Sequence, residues 1–115
     1  MLLTLLFLAA APAQAALPPY AESIRCAGLA EASTRIGPKK PTDAAFDTAL
    51  YWGLAASEAA RKNGLPAERF TADQVAAADK AEAELRDPRS DAPMELAFCI
   101  ARVPRTAADR KGERG

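Results

Sequence analysis

Few residues in this chain have the types and spacing that chemistry needs. Among its 115 residues there is no histidine, which removes the commonest general base, the usual activator of a nucleophilic Ser or Cys, and the commonest zinc ligand. The two thiols, Cys26 and Cys99, stand far apart, form no Cys-x-x-Cys pair and are too few for a structural zinc site. Glycines are isolated, so no phosphate-binding loop is present. Carboxylates remain, but Glu31 and Arg35, Glu58 and Lys62, and Glu82 and Arg86 each stand four apart, the spacing of surface pairs along a helix. Asp43 and Asp47 belong to the first turns of a helix, where its dipole favours negative charge. Glu95, between Met94 and Leu96, is the acid with the most apolar neighbours, and it is expected to face water. The expectation is therefore a non-enzymatic protein with no catalytic residue, no metal site and no cofactor.

Two readings of chemistry survive that elimination. Two cysteines allow one internal pairing, and a Cys26–Cys99 disulfide is expected to close the domain near its two ends. Tyr51 and Trp52 are adjacent, so on a helix their side chains point about 100° apart and cannot share the centre of one buried stripe. At least one ring should lie at an edge, which makes this pair the candidate interaction surface. An exposed Trp52 would support that reading, and a buried one would sink it.

The elements that must position these residues begin after a leader. Residues 2–11 form an apolar run, followed by Pro12 and by Ala13-Gln14-Ala15, the small-x-small pattern read by signal peptidase. A cleavable signal peptide over residues 1–15, with cleavage before Ala16, is the expectation. The run is well short of the roughly 20 residues of a membrane-spanning helix, so no permanent span is expected after cleavage. No Lys or Arg precedes it, which fits a start codon further upstream. Ile24-Arg25 before Cys26 is not the small-residue context of a lipid-modified cysteine. Export places the two thiols where disulfides persist, and a periplasmic or secreted location follows.

Residues 16–105 read as one all-α domain, a small antiparallel bundle of three to four helices. The first helix spans residues 20–35, with Tyr20, Ile24, Ala27 and Glu31 along one side, and ends at Gly37-Pro38-Lys39-Lys40-Pro41, a stiff exposed connector. Thr42 or Asp43 caps a second, long helix running to Asn63, with Gly64 in the left-handed conformation. Phe46, Leu50, Gly53, Ser57 and Ala60, widened by Ala49, Leu54 and Ala56, form its expected buried stripe, around which the domain should pack. Thr71-Ala72-Asp73-Gln74 is a capping box, with Phe70 and Val75 as its staple, and marks the start of the third helix. Ser90-Asp91-Ala92-Pro93 opens a short fourth helix with Met94, Leu96, Phe98, Ile100 and Val103, stopped by Pro104. Gly28 and Gly53 fall inside helices, where a close helix crossing at one or both would account for them. Alanine supplies much of the apolar composition, so the core should be thin and the helices close. Residues 106–115 are alanine, charged groups and glycine, and are expected to be a disordered charged tail. Arg102, Arg105, Arg110, Lys111 and Arg114 make that end mildly basic.

Charge is balanced at 15 basic and 15 acidic residues, so nucleic acid is not an expected partner. No internal repeat is present, and Trp52-Gly53-Leu54 does not meet the tetratricopeptide spacing. In architecture the chain is similar to the small periplasmic acid-stress chaperones, which are short, exported, helical and held by one disulfide, and at the same coarse level to exported immunity proteins. The expected function is that of an exported bacterial envelope protein acting by protein contact or in stress, with an envelope protein as partner. A carrier for a small apolar ligand held between helices is the alternative.

Overall fold

A computed structural model describes residues 17–37 and 42–104. Residues 1–16, 38–41 and 105–115 lie outside the described residues, as do the expectations of a leader, of the connector and of a charged tail placed on them. Four helices follow one another: α1 (Tyr20–Ile36), α2 (Asp43–Lys62), α3 (Ala67–Arg86) and α4 (Ala92–Ala101). The fold is an all-α antiparallel bundle closed by a disulfide, and none of the described helices is long and apolar enough to cross a membrane.

Local chemistry accounts for most boundaries. Gly37 ends α1, its N–H donating to the Ser33 carbonyl. Thr42 caps α2, its hydroxyl accepting from the Ala45 N–H at 3.1 Å. At the other end Gly64 takes φ +69°, and the Leu65 N–H reaches back to the Ala60 carbonyl at 2.9 Å, the left-handed ending expected there. Pro93 sits in the first turn of α4, where its missing N–H costs nothing, and the Ser90 hydroxyl accepts from the Ala92 N–H.

The start of α3 departs from expectation. Its helix opens at Ala67, behind Pro66, with no side-chain cap. Thr71 therefore lies inside the helix, exposed, and its capping box is unused. Ala67-Glu68-Arg69 are good helix formers, and the additional turn carries Phe70 to within 6.4 Å of the Tyr20 ring.

Packing also differs from the sequence reading, because α1 and not α2 is the central helix. It contacts α2, α3 and α4, whereas α2 and α3 scarcely touch. Its whole middle is buried: Cys26, Ala27, Gly28, Leu29, Ala30 and Ala32. Gly28 explains why. A Cβ at this position would stand 2.7 Å from the carbonyl carbon and oxygen of Ala77, so only glycine lets α1 and α3 cross this closely. Gly53 has no such role, since a Cβ there meets nothing within 4 Å. Apart from Trp52 and Leu29, every buried apolar side chain among the described residues is alanine or half-cystine, which is the thin, close core that the composition implies.

The stripe expected to be buried on α2 is largely outside. Phe46, Leu50 and Leu54 are 61%, 49% and 62% exposed, while Thr48, Trp52, Ala55, Ala56, Ala59 and Ala60 face inward. Packed against the mostly alanine middle of α1, α2 turns its small residues and its indole to the core. On α4 the pattern repeats: Ala92 and Cys99 are buried, and Met94, Phe98 and Ile100 are exposed.

Candidate functional site

Cys26 and Cys99 form the expected disulfide, joining α1 to α4 with Cα atoms 5.6 Å apart across 73 positions of sequence. Around it the polar edges of α1 are tied down by charge. The Arg25 guanidinium spans two helices, bonding Glu84 of α3 at 2.5 Å and Glu95 of α4 at 2.7 Å. Further along α1, Arg35 reaches Asp79 at 3.1 Å and Glu82 at 3.3 Å. At the other end Tyr20 donates its hydroxyl proton to Asp73 at 2.8 Å, and Arg102 grips both oxygens of Glu22. Arg25 holds the Glu95 carboxyl below the ordinary carboxylate range, through its hydrogen bond first. Burial, followed by the bond to Asp73, pushes the Tyr20 phenol up to about 12.

The surface pairs expected within single helices form in two cases of three. Glu31 bonds Arg35 at 3.4 Å and Glu82 bonds Arg86 at 3.2 Å. Glu58 pairs with Arg61 rather than Lys62. Glu95 faces water, as expected, but as half of an interhelical pair. The ties of Arg25, Arg35 and Arg102 escaped the sequence reading, because their interhelical partners lie 44 to 80 positions away and no local spacing signals them.

Trp52 is 1% exposed, so it offers no surface to a partner and the aromatic-patch reading fails for it. Its indole Nε1–H donates to the Cys99 carbonyl at 2.9 Å, and the Arg102 guanidinium lies 5.8 Å from the ring centroid. Tyr51 packs edge-on against it at 5.1 Å and is half-buried, one ring inside and one at the edge. Tyr51 lines a shallow groove with Leu17, Leu54, Ala55 and Ser57.

A second groove runs between α1, the start of α2 and α4, lined by Ala30, Ser33, Thr48, Leu96 and Ile100 among others, with a volume of about 170 Å³. Its hydroxyls serve their own helices: Ser33 donates to the Ala30 carbonyl at 2.7 Å and Thr48 to the Ala44 carbonyl at 2.9 Å. Ligand pockets are commonly about 300–1,000 Å³ with converging polar groups, and this groove falls short on both counts. Among the described residues no three acidic or sulfur side chains come together as metal ligands would.

What the fold does present is apolar surface. Leu50 lies two positions from buried Trp52, about 160° around α2, so Phe46, Leu50 and Leu54 form a row on the side directly away from the core. Met94 and Phe98 form a shorter row on α4, and Ile100 is exposed on another side of that helix. No known protein family matches the chain, and neither a curated protein nor a solved structure does.

Proposed function

We propose that the chain is an exported protein of the bacterial envelope that acts by protein contact rather than by catalysis, with residues 1–15 as its cleaved leader. The observation that carries the contact reading is the row Phe46, Leu50 and Leu54, three large apolar side chains pointing to solvent from a helix whose opposite side is already buried. Grouped exposed apolar residues mark places where another molecule docks. The Cys26–Cys99 disulfide supports an oxidising compartment. A carrier role has weaker support: the groove between α1, α2 and α4 holds about 170 Å³, and the larger one beside Tyr51, about 390 Å³, is open to solvent.

The test is capture from envelope extract with the oxidised chain, followed by cross-linking and mass spectrometry, beside a Leu50→Glu/Leu54→Glu variant. Stoichiometric capture that the variant loses is the expected result. Capture that the variant retains, or a bait that recovers no protein, contradicts the proposal.

A further inference from the structure

The Cys26–Cys99 disulfide joins the central helix to the least anchored one. α4 has ten residues, and an isolated helix of that length is marginal in water. Its large side chains do little to seat it: Met94, Phe98 and Ile100 are mostly exposed, which leaves Ala92, Cys99 and half-buried Leu96 against the core. Its interhelical charge ties, Arg25 to Glu95 and Arg102 to Glu22, are partly exposed ion pairs, each of them weak in water. What remains is the disulfide and, on the same residue, the bond from Trp52 to the Cys99 carbonyl. The other three helices depend on neither, since α1 crosses α3 at Gly28 against Ala77 and packs along α2. α4 is also the last of the described helices, so it can leave without displacing another element.

The bond is within reach of a reagent. Each half-cystine is only 4% exposed, yet both line a groove of about 170 Å³ that opens at the surface, with Arg25, Phe98 and Arg102 beside them. The two guanidiniums favour a thiolate as it forms there.

We infer that the Cys26–Cys99 disulfide is an exchangeable latch, and that its reduction by a dithiol releases α4 while α1, α2 and α3 stay folded. A thiolate of the dithiol attacks one of the two sulfurs, the S–S bond breaks, a mixed disulfide forms and the other cysteine leaves as a thiolate. The second sulfur of the dithiol then displaces the first cysteine. Both cysteines end as thiols and the dithiol as its own disulfide, with two electrons and two protons passed to the protein. Release takes the Cys99 carbonyl and the Arg102 guanidinium away from Trp52. It also opens the groove that Ala30 and Ser33 of α1 share with Leu96 and Ile100 of α4. The inference does not rest on the outward row of α2.

The test is treatment of the oxidised protein, expressed from its full reading frame, with excess dithiothreitol and no denaturant. Alkylation followed by intact mass should show both cysteines reduced. Emission from Trp52, the only tryptophan of the chain, should shift to the red. Amide hydrogen exchange at residues 96–101 should speed up by at least about tenfold, while amides of α1 and α3 around Gly28 and Ala77 stay protected, and reoxidation should restore both readings. Cys26→Ala/Cys99→Ala should show the released state without dithiothreitol and should not respond to it. A disulfide that resists dithiothreitol until denaturant is added overturns the inference. So does a reduced chain in which α4 stays protected, or one in which all four helices lose protection together, because the bond is then a staple of the whole fold.

Discussion

The indole of Trp52 on α2 donates its Nε1–H to the main-chain carbonyl of Cys99 on α4, 2.9 Å away and buried. The last carbonyls of a helix have no partner within it, so Trp52 satisfies one of them at the residue that also carries the disulfide. Trp52→Phe should lower the unfolding free energy of the oxidised chain by about 2–4 kcal/mol, combining an unpaired buried carbonyl with lost volume. Urea denaturation measures this, and a change below about 0.5 kcal/mol would show that the bond is replaced by water.

Gly28 and Gly53 should respond in opposite directions. Gly28→Ala drives a Cβ into the Ala77 main chain and should destabilise by about 1–3 kcal/mol. Gly53→Ala adds a Cβ to open space and should stabilise by about 0.5–1 kcal/mol through helix propensity alone. Equal melting temperatures for the two variants would contradict the central crossing of α1 over α3.

Acid should loosen the bundle at Arg25. Glu95 has its folded-state pKa lowered by Arg25, so its contribution to stability is present above the ordinary carboxylate pKa and is lost as pH falls through the lowered value. Arg25→Met should therefore be less stable than the parent at neutral pH and should show a smaller further loss on moving to about pH 3. Chemical denaturation at both pH values checks this. An unchanged acid-side loss would mean that Glu95 gains nothing from its partner. Tyr20 adds the alkaline counterpart: with its phenol raised to about 12, its contribution holds below its ordinary value and fades as pH rises through about 12.

Boundaries and the disulfide were legible because single residues decide them. Gly64 can take positive φ where others cannot, Thr42 has a hydroxyl where α2 needs an acceptor, and two cysteines have one way to pair. The orientation of α2 was not legible, because two criteria conflict along it. Side-chain size selects Phe46, Leu50 and Leu54 as its inner side, and alanine spacing selects Ala55, Ala56, Ala59 and Ala60. The choice is made by α1, against which α2 packs: its buried middle is mainly alanine with Cys26 and Leu29, and the small residues of α2 fit close against it. Trp52 is the exception, and its indole has a polar partner waiting on α4. The capping box at Thr71 failed for a related reason: the motif is local, while the start of α3 is also set by the contact of Phe70 with Tyr20.

The proposed contact puts the row opposite the core of α2 against another protein in the cell. A photo-cross-linking amino acid at Leu54, in place of the native side chain, tests it most directly in the producing organism, with the same group at exposed Ala83 on α3 as control. A discrete cross-linked product from position 54 and none from position 83 is the expected result. No product at position 54, or the same diffuse products at both positions, would contradict it.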